Sequence, residues 1–155
     1  MSADTIKILK GLEKIESSLA RIYRNLSEKR TFSKPVRNFW KTISEEELRH
    51  EEVFRKLRQA LESDPAFDFS IDIEWDRLKA FADQAKEAVA RTKAEDITES
   101  EAYSLGARIE AELNESRFLR LIATGRQEVR KQIERVEAET RKHRLIMINY
   151  AKGVK

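Results

Sequence analysis

The sequence predicts an all-α protein: a bundle of four long helices, with a long crossover containing an extra helix between helices two and three. Three observations predict this. Ala, Glu, Lys, Leu and Arg dominate the 155 residues, against four Gly and two Pro, which is the composition of long, surface-charged helices. Apolar residues recur at steps of three and four over long runs, the period of an amphipathic helix. Breakers and caps cluster at a few places only: Lys34-Pro35, Ser63-Asp64-Pro65, Thr98-Glu99-Ser100-Glu101 and Thr124-Gly125. The length suits one domain, 1–155, able to bury a core without disulfides or a structural metal.

The first helix is expected over Thr5–Arg30, with an apolar seam of Leu12, Glu16, Leu19, Tyr23 and Leu26. Pro35 fits the first turn of a second helix, Pro35–Leu61, because a first-turn residue needs no amide donor. Its seam reads Val36, Trp40, Ile43, Glu47, His50, Phe54, Leu57 and Leu61. Residues 66–74 carry few helix signals and read as a crossover. A helix over Trp75–Ala94 then returns the chain along the bundle, with Leu78, Phe81, Ala82, Ala85 and Val89 on one side. Thr98 and Glu101 form a capping box and open the next helix. Its seam reads Ala102, Leu105, Ile109, Glu112, Ser116, Leu119 and Ala123, up to the stop at Thr124-Gly125. The last helix is expected over Arg126–Lys152, with Val129, Ile133, Val136, Thr140, His143, Met147 and Tyr150 on its seam.

Several classes of function are set aside by composition. The net charge of +3 comes from 31 basic and 28 acidic residues, interleaved as on a solvated helix surface rather than gathered into a nucleic-acid-binding stripe. With no cysteine, thiolate zinc, iron–sulfur and Cys₄ iron sites are excluded within the chain. No segment approaches the roughly 20 apolar residues of a membrane span, and the first residues do not read as a signal peptide. The expectation is a soluble cytoplasmic protein without nucleic-acid or membrane partners.

Polar residues stand where the pattern demands apolar ones. Glu16, Glu47 and Glu112 sit mid-seam on three helices; His50 and His143, both of the chain's histidines, sit mid-seam on two. A buried carboxylate is costly unless it is paired or bound to a cation. Glu47-x-x-His50 places a carboxylate and an imidazole one turn apart on one face, where both can reach one metal. Glu115 lies one step off the seam, within reach of such a centre.

These residues resemble those of the rubrerythrin family of ferritin-like di-iron proteins. Glu16-Ser17-Ser18-Leu19-Ala20-Arg21-Ile22-Tyr23 is similar to its first-helix segment, Glu47 and His50 to its Glu-x-x-His, Glu112 and Glu115 to its Glu-x-x-Glu, and His143 to the histidine of its second Glu-x-x-His. Where the family has a carboxylate three residues before that histidine, this chain has Thr140. With no cysteine, no rubredoxin-type domain is expected within these 155 residues.

The resemblance implies two iron ions, or manganese, or a mixed pair. Glu16 and His50 would hold one, Glu112 and His143 the other. Glu47 would bridge, Glu115 would bind terminally, and Tyr23 would hydrogen-bond a ligand carboxylate. Thr140 implies that one position binds weakly. The implied activity is two-electron reduction of hydrogen peroxide or dioxygen, in defence against oxidative stress, with a separate electron-donor protein and a homodimeric assembly. The alternative is a degenerate bundle that binds one metal or none and serves as a structural or partner-binding module.

Overall fold

The computed structural model of the chain describes residues 2–94, 96–115 and 121–153, except for the side chains of 2–3 and 113–115. The protein is all-α, with five helices among the described residues: α1 (Ser2–Ser27), α2 (Lys34–Ser63), α3 (Trp75–Ala94), α4 (Glu99–Glu115) and α5 (Gln127–Ala151). Two short strands, β1 (Ser70–Ile71) and β2 (Ile122–Ala123), pair antiparallel, with Ser70 opposite Ala123 and Ile71 opposite Ile122. No helix among the described residues is long and apolar enough to cross a membrane.

Local chemistry sets the boundaries. Thr98 and Glu101 make the reciprocal capping box that opens α4: Glu101 N–H donates to Thr98 Oγ1 at 3.1 Å, and Thr98 N–H donates to Glu101 Oε1 at 3.2 Å. Pro35 occupies the first turn of α2. Residues 66–74 are more ordered than a plain crossover. Phe69, Ile71 and Ile73 are buried at alternate positions, a strand period that was present in the sequence.

The expectation that the helix opened by Thr98 runs on to Ala123 is corrected. Ile122 and Ala123 are captured by β1 instead, and Leu121 C=O accepts from Asp72 N–H at 3.1 Å. Asp68 pins the turn that follows. Its carboxylate accepts from Gly125 N–H at 2.7 Å, and its carbonyl accepts from Thr124 Oγ1 at 2.6 Å. The expected seam residues Ser116 and Leu119 lie outside the described residues.

Helix α1 packs against both α2 and α3, and α4 packs along α5. Besides its expected seam, α1 buries Ile8, Ile15 and Ile22, a second stripe that suits a helix with two neighbours. Gly11 permits the close approach of α3, since a Cβ there would lie 2.6 Å from Leu78 Cδ2. Fully burying each such Leu or Ile contributes about 1.5–3 kcal/mol.

Two layers of side chains tie α1, α2, α4 and α5 together. Glu16, Glu47, Glu110 and His143 meet at one level. Tyr23, Trp40, Tyr103 and Tyr150 meet at another. On each helix the two layer residues are seven positions apart, about 10.5 Å along the axis. The aromatic follows the polar residue on α1 and α5 and precedes it on α2 and α4. Hence α1 and α5 run one way, and α2 and α4 the other.

Candidate metal centre

The polar layer is built from five buried side chains: Glu16, Glu47, His50, Glu110 and His143, each at most 2% exposed. They form two triads that share Glu47. Glu16, Glu47 and His50 each offer one ligand atom within 4.8 Å of the others, and so do Glu47, Glu110 and His143.

Glu47 is the member common to both triads. Its Oε2 lies 3.4 Å from His50 Nδ1 and its Oε1 lies 3.4 Å from His143 Nδ1. Glu16 Oε2 stands 3.8 Å from His50 Nδ1, and Glu110 Oε1 stands 3.8 Å from His143 Nδ1. The backs of the imidazoles are held crosswise. His50 Nε2 bonds Glu139 of α5 at 2.8 Å, and His143 Nε2 bonds Glu46 of α2. Each supporting carboxylate lies four residues before the histidine of its own helix, so Glu46-Glu47-x-x-His50 and Glu139-Thr140-x-x-His143 are twofold-like counterparts. Thr140 occupies Glu47's counterpart position. It is buried, and its hydroxyl donates to Val136 C=O at 2.9 Å, so its proton is committed within α5 and it brings no carboxylate to the centre.

The inward carboxylate of α4 is Glu110, not Glu112. Ala102, Tyr103, Ile109 and Glu110 form the buried face of α4, whereas Glu112 is exposed. Two residues are about 200° of helix rotation, so the seam that included Leu105 and Glu112 was set on the wrong side. Ile109 belongs to both stripes, and that made them hard to separate. Glu115's side chain lies outside the described residues. Tyr23 is fully buried and donates to Glu110 Oε1 at 2.8 Å. Glu46 and Glu139 were missed because both lie off the apolar seams. The repeated four-residue spacing to each histidine was the signal that could have found them.

The electrostatics describe a buried carboxylate cluster that draws positive charge toward itself. Burial, and then Glu47, push the Glu16 carboxyl well above the ordinary carboxylate range. Burial and Glu47 likewise push Glu110 up to about 7. Burial alone would raise Glu47 too, yet the close approach of Glu16, His143 and His50 outweighs it and holds Glu47 well below the usual range. Burial disfavours charged imidazoles, but Glu16 and Glu47 lift His50 to about 12, while Glu110 and Glu47 lift His143 to about 10. Burial, followed by Glu110, raises the Tyr23 phenol well above 10, which keeps it a donor.

The donor set fits hard or borderline divalent ions. Among the described residues, Glu16 Oε2, both Glu47 oxygens, Glu110 Oε2 and the Nδ1 atoms of both histidines are buried without a hydrogen-bond partner. All of these residues belong to the two triads. With Nε2 committed to a carboxylate, each Nδ1 lone pair faces carboxylate oxygens, an arrangement that requires a proton or a cation between them. Two carboxylates and one imidazole per position suit iron or manganese. A cavity of about 170 Å³ between α2 and α5 reaches His50 and Glu139, and Arg49, Val53, Gln132, Arg135 and Val136 complete its lining. Compared with known proteins, the chain matches no family model, no curated protein and no solved structure.

Proposed function

We propose that the chain is a ferritin-like four-helix bundle of the rubrerythrin kind that binds two iron or manganese ions and reduces hydrogen peroxide or dioxygen. The observation that carries this reading is the pair of buried triads sharing Glu47, each closed by an imidazole whose far nitrogen rests on a carboxylate. The helix directions support the bundle. α1 and α2 are antiparallel, α4 and α5 are antiparallel, and one long connection carrying α3 joins the pairs, as in ferritin-like topologies.

Glu16 and His50 would hold one ion, Glu110 and His143 the other, and Glu47 both. Bound there, the metal pair would supply the two electrons that, with two protons, take hydrogen peroxide to two waters. The chain's residues do the rest. Glu46 and Glu139 fix the imidazoles with Nδ1 inward, Tyr23 fixes Glu110, and the surrounding apolar layers keep bulk water out. The cavity beside His50 offers a small oxidant a path to the imidazole edge of the site.

Thr140 favours a second reading, in which the position on the α4–α5 side binds weakly or not at all and the chain is a structural or partner-binding module. Metal analysis after loading with ferrous or manganous ion separates the two. About two ions per chain, with affinity lost in Glu47→Gln, supports the redox protein. One ion without peroxide turnover supports the second reading, and no bound metal rejects the site.

A further inference from the structure

The aromatic layer connects the buried site to the surface. Tyr23, hydrogen-bonded to Glu110, stacks on Trp40 with ring centroids 5.3 Å apart. Trp40 lies 5.2 Å from Tyr103, and Tyr103 stacks on Tyr150 at 4.9 Å. Tyr23 and Trp40 are 0% exposed, Tyr103 is 5% exposed and Tyr150 is 47% exposed. The series thus runs without a gap from a site carboxylate to solvent, taking one ring from each of four helices. Tyrosine and tryptophan are the side chains most readily oxidised by one electron in a chain without cysteine.

Packing alone does not require this composition. Apolar rings would fill the same layer, as Phe39 does beside Trp40 at 5.0 Å. Gly106 clears the space that Trp40 occupies, since a Cβ there would lie 2.9 Å from the indole ring. Each end of the series also has the acid–base partner that a phenol needs when it loses an electron. Tyr23 has Glu110 Oε1 at 2.8 Å, and Tyr150 has water.

We infer that Tyr150, Tyr103, Trp40 and Tyr23 form a relay that carries single electrons from a one-electron donor at the surface to the buried carboxylate–histidine site. The inference rests on the redox reading of that site. In each cycle Tyr23 gives one electron to the peroxide- or dioxygen-oxidised metal pair and its phenolic proton to Glu110. Trp40 returns an electron to the Tyr23 radical, and Glu110 returns the proton. Tyr103 refills Trp40 while keeping its phenolic proton, as a transient radical cation; Tyr150 refills Tyr103 and releases its own proton to water; and the surface donor and water restore Tyr150. The aromatic residues end unchanged; the donor has lost one electron and the site has gained it.

The test uses the full chain, free of metal and loaded. Because the chain has no cysteine and two tryptophans, Lys152→Cys gives a single attachment point for a ruthenium photo-oxidant two residues from Tyr150, and Trp75→Phe leaves Trp40 as the sole tryptophan. Flash oxidation of the metal-free protein is expected to produce the Trp40 radical, read by transient absorption. Tyr103→Phe should slow its formation at least tenfold, while Phe39→Leu should leave it unchanged. Absence of the radical, or an undiminished rate in both Tyr103→Phe and Tyr150→Phe, would overturn the relay. In iron-loaded protein treated with peroxide and no donor, electron paramagnetic resonance should show a tyrosyl or tryptophanyl radical that Tyr23→Phe and Trp40→Phe diminish. A chain that binds no iron fails the functional reading, while the metal-free photochemistry judges the relay independently.

Discussion

The imidazoles of His50 and His143 lie nearly parallel, with ring centroids 6.4 Å apart, and one carboxylate, that of Glu47, faces the Nδ1 of each. This arrangement makes Glu47 the one side chain common to both triads. Glu47→Gln is therefore expected to weaken both metal positions at least tenfold, whereas Glu16→Gln and Glu110→Gln should each weaken mainly one. Glu112→Gln should change neither, because Glu112 is exposed. Calorimetric titration with manganous ion across the four variants checks this ordering; a loss of binding in Glu112→Gln would refute the assignment of Glu110.

Glu46 and Glu139 would act on a bound metal through the histidines. Removing such a supporting carboxylate typically costs 10–100-fold in metal affinity. Glu139→Leu should therefore weaken the position that uses His50, and Glu46→Leu the one that uses His143. Glu139→Asp should recover part of the loss if relaxation lets the shorter side chain still reach Nε2. Equal affinity in all of these variants would show that the imidazoles need no such support.

Proton linkage has a definite sign. The folded metal-free chain holds His143 up to about 10 and His50 up to about 12, against 6.5 for an ordinary imidazole. The stability these groups contribute is present below 6.5 and is lost as pH rises toward 10 and beyond. Glu110, raised to about 7 from 4.5, has the same sign over that lower window. The melting temperature of the metal-free protein should thus fall between about pH 6 and about pH 9. Metal competes with those protons, so the increment in melting temperature on adding manganese should grow over the same range. Melting curves with chelator and with metal at each pH measure both trends; parallel curves would contradict the linkage.

Thr140→Glu tests the broken twofold relation. A carboxylate there would mirror Glu47 and add an anionic ligand to the Glu47 and Glu110 carboxylates already on the α4–α5 side. The variant should bind the second ion more tightly. Without metal it should be less stable, because another buried carboxylate is left uncompensated. If metal affinity is unchanged and the metal-free protein is no less stable, position 140 does not face the centre.

Gly106→Ala probes the aromatic layer. The added methyl would meet Met147 Sδ at 2.8 Å and the Trp40 ring at 2.9 Å. Met147 can yield by rotation, but the stacked indole cannot do so cheaply. A loss of about 1–3 kcal/mol is expected, as for overpacked cores, measured by urea denaturation. A neutral effect would mean that the layer is loosely packed.

The sequence made the helices legible wherever one seam dominated. On α2, Trp40, Ile43, Glu47, His50, Phe54, Leu57 and Leu61 are all buried as the spacing requires. On α4 the same rule failed, because Leu105 and Glu112 make a plausible stripe beside the true one that runs through Tyr103, Gly106 and Glu110. A small glycine and a polar tyrosine conceal a buried face. Glu46 and Glu139 were invisible to seam reasoning because each lies beside the seam and reaches across to another helix. The strand alternation from Phe67 to Ile73 was readable but short, and its partner at Ile122–Ala123 could only be found in space.

The division of the site between α1–α2 and α4–α5 bears on the order of folding. Each pair is a hairpin of contacts near in sequence, which form quickly, and between the hairpins the backbones meet most at α2 against α5. Glu16, Glu47 and His50 come from one hairpin, Glu110 and His143 from the other. A cation held among them would act as a late latch between two units already formed. Its removal would then appear first as faster amide hydrogen exchange where α2 meets α5, with the interiors of the hairpins still protected.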